Sequence, residues 1–270
     1  MKKERIDILL VEQGFFESRE QAKRSIMAGL VLANEEPIDK PGTKMDRDVV
    51  LRIKGNKLPY VSRGGLKLEK ALHVFDFDVK DKIVIDIGAS TGGFTDCSLQ
   101  NGAQKVYAVD VGSNQLAWKL RSHHKVTVME QYNFRYAEPR HFEEKPEAAV
   151  ADVSFISLKL LLEPLSRILS ENAHACLLVK PQFEAGRDKV GKKGIVRDRK
   201  VHQEVLMDII QFAGAAGFHA DGLDFSPITG GDGNIEFLLH LLWKPPAPPT
   251  NHAIHLVSHV IDQAHAHYAS

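Results

Sequence analysis

Four ionisable residues occupy positions where a side chain can be both desolvated and functional. Lys180 closes the apolar run Leu-Leu-Val-Lys-Pro-Gln. At the end of a buried strand a lysine is partly desolvated, which makes it a candidate general base, and its compact charge can also hold a developing oxyanion. A strand-end lysine can equally reach solvent. Asp152 follows a second apolar run in Ala-Asp-Val-Ser-Phe, and Glu236 lies inside Asn-Ile-Glu-Phe-Leu-Leu-His, where an ionised side chain is costly unless paired. Lys67, in Ser-Arg-Gly-Gly-Leu-Lys, opens a helix ahead of the first strand of the main region.

A glycine-rich turn supplies the second kind of chemistry. Asp86-Ile-Gly-Ala-Ser-Thr-Gly-Gly-Phe94 follows a hydrophobic strand and opens a helix. Gly88, Gly92 and Gly93 let the backbone turn tightly and approach a ligand, with Ala89, Ser90 and Phe94 completing the turn. The next strand ends at Asp110, where a carboxylate can accept hydrogen bonds from a ribose diol. A dinucleotide site usually shows Gly-x-Gly-x-x-Gly, which seats a pyrophosphate on the helix N-terminus. Here Ala89 and Ser90 follow Gly88, and Asp86 puts negative charge at the strand end. That suits a cationic, phosphate-free ligand, and S-adenosyl-L-methionine, with its sulfonium, ammonium and adenosine, meets the description. A nicotinamide dinucleotide and a purely structural turn are the alternatives. Ligands of open α/β sheets bind beyond the carboxyl ends of the strands, so Asp86, Asp110, Asp152 and Lys180 are expected to face one crevice. Asn133, after the third strand, is either an adenine neighbour or an exposed loop asparagine.

These residues need a scaffold, and the patterning describes one. From Lys82, buried strands alternate with helices up to His-Ala-Cys-Leu-Leu-Val at residues 174–179, which implies α/β architecture: a Rossmann-like, mostly parallel sheet with helices on both faces. After a helix near residues 199–216, two strands around a glycine-rich turn are expected to add an antiparallel edge. Residues 1–57 read as a small α+β domain. Its first helix spans Arg5 to Glu12. Ser18 caps a second, with Ala22, Ile26 and Met27 turned inward and Gly29 ending it. Residues 58–66 read as a linker, 67–244 as the main domain, and 245–270 as a stiff Pro-rich linker with a final amphipathic helix.

Lys67, Asp152, Lys180 and Glu236 fall in the order and contexts of the Lys-Asp-Lys-Glu tetrad of FtsJ-like ribose 2′-O-methyltransferases. Tyr-Val-Ser-Arg-Gly-Gly-Leu-Lys-Leu, the glycine turn, Asp-Val-Ser-Phe-Ile-Ser-Leu, Lys-Pro-Gln-Phe-Glu-Ala-Gly and Gly-Asn-Ile-Glu-Phe resemble the TlyA family, whose members are called hemolysin A-like. The stretch from Arg19 to Leu32 is similar to the S4-type RNA-binding domain, although Asn34-Glu35-Glu36 stands where many such domains carry an Asn-Gly turn. The resemblance spans residues 4 to about 243. It implies a methyltransferase that uses S-adenosyl-L-methionine on cytidine 2′-hydroxyls of ribosomal RNA in ribosomes or their subunits. Lys180 would be the base, Asp152 would orient it and also border the cofactor, and Lys67 and Glu236 would fix the hydroxyl.

The chain has 270 residues, with 35 Lys plus Arg against 35 Asp plus Glu, so any polyanion site must come from local clustering. Arg19, Lys23 and Arg24 form one basic helical face, and Arg63 stands near Lys67. A larger cluster includes Arg187, Lys189, Lys192 and Lys193: residues 180–200 hold eight Lys or Arg and three acids. These are the candidate RNA contacts, with a merely solvated loop as the alternative. Two cysteines, Cys97 and Cys176, and a start without signal-peptide character place the protein in the cytoplasm. The hemolysin name raises a membrane-lytic alternative, but no apolar run approaches the roughly 20 residues of a spanning helix. An RNA-binding assembly factor without catalysis is a further alternative. His255 and His259 have helical i, i+4 spacing, yet no cysteine or carboxylate cluster accompanies them, so no metal site is expected.

Overall fold

The computed structural model describes residues 3–16, 18–34, 36–47, 49–54, 59–191, 193–231, 233–245 and 252–269, without the side chain of His252. Glu35, Lys192, Leu58 of the expected linker and most of the Pro-rich stretch lie outside the described residues. The chain forms two compact units, Met1–Pro59 and Tyr60–Ser270.

In the first unit, β1 (Glu4–Arg5) leads into α1 (Ile6–Glu12), followed by α2 (Arg19–Met27), β2 (Val31–Ala33), β3 (Glu36–Ile38), β4 (Lys44–Met45) and β5 (Leu51–Ile53). Strand β2 is the centre of an antiparallel β3-β2-β5 sheet, and β1 pairs with β4. Ser18 caps α2 by accepting the Gln21 N–H. Ala22 and Ile26 are buried with Ile6, Leu9 and Leu10, but Met27 is 64% exposed, against the expectation that it faces inward. It is the last residue of α2, where the apolar face has already turned away from α1. Asn34 takes φ 50, the left-handed conformation that asparagine tolerates better than most residues, so it performs the turn expected of Asn-Gly. Its Oδ1 accepts the Val50 N–H at 3.2 Å, which ties it to the residue preceding β5.

The second unit begins with α3 (Gly65–Val74), β6 (Ile83–Ile87), α4 (Gly93–Gln100), β7 (Lys105–Val109), α5 (Trp118–Arg121), β8 (Val126–Met129) and β9 (Ala148–Ala151). It continues with α6 (Lys159–Ile168), β10 (His174–Val179), α7 (Pro181–Glu184), α8 (Arg199–Ala215), β11 (Phe218–Phe225), β12 (Phe237–Trp243) and α9 (His252–His267). Seven strands form one sheet in the order β11-β12-β10-β9-β6-β7-β8, parallel except for β12, which runs antiparallel to both its neighbours. Successive strand residues point to opposite faces. Ile85, Ala149, Leu177 and Leu239 pack on the layer that includes α6, α8 and α9, while Val84, Val150, Cys176 and Leu238 pack on the α3–α4 side. Helix α9 joins the first of these cores through Ala253, Val257, Val260, Ile261 and Ala264. Both cysteines are buried, which pushes their thiols up to about 12 and leaves them as small apolar fillers.

A buried carboxylate organises the first unit. Asp7 is fully buried and pairs with Arg5 and Arg19, each at 2.9 Å. Burial pushes its pKa up, but the hydrogen bonds from Arg5 and Arg19 prevail and hold it below the usual carboxylate range. The stabilisation is therefore complete above pH ~4 and is lost as pH falls through the lower, folded-state value. Asp7→Ala in the full chain should lower the unfolding midpoint by about 2–4 °C at pH 7, and the gap to the parent should close below pH 4 in thermal melts.

Candidate active site

The pleat of the sheet explains why four residues far apart in sequence meet. Asp152 continues the row of Ala148 and Val150, Lys180 that of Cys176 and Leu178, and Glu236 that of Leu238, all facing α3 and α4. Each stands one residue outside its strand, rather than inside it as the sequence pattern suggested for Glu236. Strands β9, β10 and β12 are adjacent. Because β12 is antiparallel, its beginning lies at the carboxyl ends of β9 and β10, and the pair Val179↔Phe237 carries forward to Lys180 and Glu236. Lys67 reaches the same point from the first turn of α3.

The side chains form a continuous chain of ion pairs. Lys180 Nζ lies 2.6 Å from Asp152 Oδ1, and Lys67 Nζ lies 3.3 Å from Asp152 Oδ2 and 2.7 Å from Glu236 Oε2. Lys180 also donates to Ser154 Oγ at 3.0 Å. Lys67, Lys180 and Glu236 are buried, and Asp152 is the most open of the four. Two ammonium and two carboxylate groups balance, so each of these four charges has a partner.

The glycine turn closes against this chain. Gly88 has φ 81, and a Cβ there would lie 2.7 Å from the Asp152 carbonyl oxygen. At Gly93 a Cβ would lie 2.3 Å from Ser62 Oγ and 2.9 Å from the Gly65 nitrogen. Backbone of β6, β9 and the entry to α3 therefore meets where no side chain fits. Ser90 adopts φ 48, fixed by its N–H donating to Asp110 Oδ2 at 2.8 Å, while Asp110 Oδ1 accepts the Gly112 N–H at 2.7 Å. Each carboxylate oxygen keeps a second lone-pair site.

A cavity of about 290 Å³ opens beside the tetrad. Lys67, Asp152 and Lys180 line it with Gly88, Ala89, Ser90, Gly93 and Phe94 of the turn. Ser62, Gly64, Thr91 and Ser154 also line it, and sequence reasoning had singled out none of them. Their motifs, Ser-Arg-Gly-Gly and Asp-Val-Ser, were legible, but nothing in a hydroxyl's type announces that it faces a cavity.

Four expected cofactor residues, Asp86, Gly92, Asp110 and Asn133, do not line this cavity, although Asp110 holds its rim through the Ser90 N–H. Gly92, at φ 101, faces Leu120 and Leu116. Asp86 does not share the crevice: it is fully buried behind the turn, with Oδ2 accepting from Thr95 Oγ1 at 2.6 Å and Oδ1 without a hydrogen-bond partner. Asn133 is an exposed residue whose side chain accepts the Arg135 N–H and caps a 3-10 turn.

The basic residues are likewise sorted. Arg63 is exposed and lines the cavity; Arg187 and Lys193 are exposed in the segment after α7. Lys189 pairs with Glu204, Lys23 with Glu20, and Arg19 with Asp7, while Arg24 Nε reaches the Glu20 carbonyl. Phe155 at the cavity's edge of the sheet takes φ 63 and exposes 90% of its surface, with its ring 4.9 Å from that of Phe183. Asn234, two residues before Glu236, is buried and holds the segment after Lys193 by accepting the Val196 N–H and donating to the Gly194 carbonyl, each at 2.9 Å.

Comparison with known proteins matches these two units. Residues 60–242 match the FtsJ-like methyltransferase family, and residues 4–51 match the S4 domain. A Bacillus subtilis protein, YqxC, whose name designates it an rRNA methyltransferase, is 65% identical over 90% of this chain and 86% of its own. The 16S/23S rRNA (cytidine-2′-O)-methyltransferase TlyA of Mycobacterium tuberculosis is 39% identical over 89% of this chain and 90% of its own. A solved structure carrying the hemolysin name, from Streptococcus thermophilus, is 57% identical, with a TM-score of 0.80 over 100% of this chain and 98% of that one. Among the described residues no helix is long and apolar enough to cross a membrane.

Asp86 gives a pH signature. Burial pushes its pKa up to about 7, the Thr95 hydrogen bond opposing and the charges of Asp152 and Asp110 adding to the rise. Between pH ~4 and 7 the folded chain then binds a proton that the unfolded chain has released, so this group's contribution to stability declines as pH rises. Asp86→Asn removes that decline. The variant's unfolding midpoint relative to the parent should rise between pH 5 and pH 8; a flat difference would mean that Asp86 ionises as an ordinary carboxylate.

Proposed function

This chain belongs to the TlyA family of FtsJ-like methyltransferases, and from that premise we propose that it methylates a cytidine ribose 2′-hydroxyl of ribosomal RNA with S-adenosyl-L-methionine. The observation that carries this reading is the chain Lys180–Asp152–Lys67–Glu236 beside a cavity that the glycine turn also lines.

A ribose hydroxyl is a weak nucleophile near neutral pH and must lose its proton as it attacks. S-adenosyl-L-methionine supplies the electrophile, a methyl group on a sulfonium. Lys180 is the base. Two of its positions are committed to Asp152 and Ser154, which leaves one for the incoming hydroxyl, as a lone pair once the amine is neutral. Asp152 orients Lys180, while Lys67, anchored to Glu236, holds the hydroxyl oxygen as negative charge develops.

The main chain of Gly88, Ala89 and Ser90 fits the methionine side of the cofactor, because these residues line the cavity with backbone and small side chains. The free lone pairs of Asp110 fit a ribose diol. Arg63, Arg187 and Lys193 are the phosphate contacts, the S4 domain supplies a second RNA-binding surface, and the exposed Phe155 ring is a stacking platform for an unpaired base. The substrate particles place the reaction in the cytoplasm.

Labelled cofactor incubated with unmodified 30S, 50S and 70S particles, followed by mapping of 2′-O-methylated positions, tests the reading directly. Lys180→Ala should cut kcat by about 10²–10⁴-fold while calorimetry shows cofactor binding within a few-fold of the parent; normal turnover would remove Lys180 as the base. Phe155→Ala should raise KM for the particle about 5- to 100-fold, the range of one lost base stack, with cofactor binding unchanged.

A further inference from the structure

We infer that α9 is a working part of the methyl-transfer site, with Tyr268 and His265 as positioning residues for Glu236 and the basic segment. The inference rests on the reading of the tetrad given above.

Two chains of hydrogen bonds run from the end of this helix to the site. The first passes through the mouth of the β11–β12 hairpin. Tyr268 Oη donates to the Ser226 carbonyl at 2.6 Å, and the Ser226 N–H donates to the Glu236 carbonyl at 2.8 Å. Ser226 is fully buried and its hydroxyl donates to the Ile228 carbonyl, so it has no freedom to follow Tyr268 without moving Glu236. The Tyr268 ring sits edge-on to Phe225, with centroids 6.2 Å apart, which fixes the direction of its hydroxyl. Burial and the nearby Glu236 charge push that hydroxyl up to about 12, so it remains a donor at neutral pH.

The second chain reaches the segment after Lys193. His202 Nε2 lies 3.2 Å from the Val196 carbonyl, and His202 Nδ1 lies 3.0 Å from His265 Nε2. A carbonyl only accepts, so His202 Nε2 carries the hydrogen. In a neutral imidazole Nδ1 is then the acceptor, and His265 Nε2–H must be the donor. His202 is fully buried, and burial first and His265 second push its pKa down to about 4, which agrees with that neutral form. Val196 is the residue whose N–H Asn234 accepts, so the second chain also ends two residues from Glu236.

The apolar face of α9 already covers the sheet through Val257, Val260 and Ile261. The polar atoms of Tyr268 and His265 are not needed for that cover, and this separates positioning from packing. Tyr268→Phe keeps the ring and loses the donor, His265→Leu loses the second donor, and His265→Gln restores an N–H.

The test uses the full-length parent and these variants with tritiated cofactor and unmethylated 30S and 50S particles. It reads kcat, KM for cofactor, unfolding midpoint and amide exchange. Tyr268→Phe and His265→Leu should each lower kcat about five- to tenfold, as expected for one lost hydrogen bond, with cofactor KM within twofold. Amide exchange should accelerate at 194–198 and 226–236, and His265→Gln should recover most of the rate. Unchanged kcat, or a fall that Gln does not rescue and that follows a lowered unfolding midpoint, overturns the inference. If the parent itself transfers no methyl group, the tetrad reading fails, and exchange alone decides: acceleration confined to those two segments supports the brace, and parental exchange overturns it.

Discussion

The site depends on a single electrostatic constraint: four charges taken out of water must neutralise one another within a few ångströms. Asp152 is the hub, since its two oxygens receive different lysines, and Glu236 balances the one that Asp152 shares. Removing any member leaves an uncompensated buried charge, which costs far more than the pair contributes. The geometry is consequently over-determined. If Lys180 swings towards solvent, two carboxylates are left with Lys67 alone, and if Lys67 leaves, the buried Glu236 loses its ion-pair partner. The proposed role of Lys180 as a base needs this kind of fixation, because proton transfer tolerates little misplacement of the reacting atoms.

The sheet brings three of the four charges together by register, and α3 adds Lys67. Neighbouring strands deliver Asp152, Lys180 and Glu236 to one face, and reversing β12 brings its first residues to the end where β9 and β10 finish. The glycines of the turn serve the same end. With no Cβ at Gly88 or Gly93, three backbone segments close to contact distance and leave a cavity bounded by main chain on one side and by the ion pairs on the other.

Much of this was legible before any coordinates. Alternating strands and helices announced a parallel sheet, the two terminal strands its antiparallel edge, and the motif order the tetrad. Other features depend on information that local patterns do not carry. Asp86 has the sequence context of a ligand-facing carboxylate, yet the pleat turns it inward to Thr95, and only the three-dimensional path of the turn decides this. Asn133 could be a cap or a contact by type, and the structure uses it as a cap. Basic residues cannot be separated by sequence into free and paired, because their partners are as distant as Asp7 from Arg19 and Lys189 from Glu204. The tail was the least readable part. It read as an amphipathic helix without a metal site, but the contact of His265 with His202 joins positions 63 residues apart and leaves no periodic signal.

The bond between Lys67 and Glu236 spans 169 residues, from the first helix of the second unit to its last strand. Such non-local closure makes the tetrad one of the last features to assemble. During synthesis the chain emerges Lys67 first, and the glycine turn and five parallel strands can be in place while the carboxylate that balances Lys67 is still inside the ribosome. On the proposed assignment of the tetrad, a nascent molecule is catalytically silent until β12 has been released and inserted between β10 and β11, so the unit works only as a finished whole.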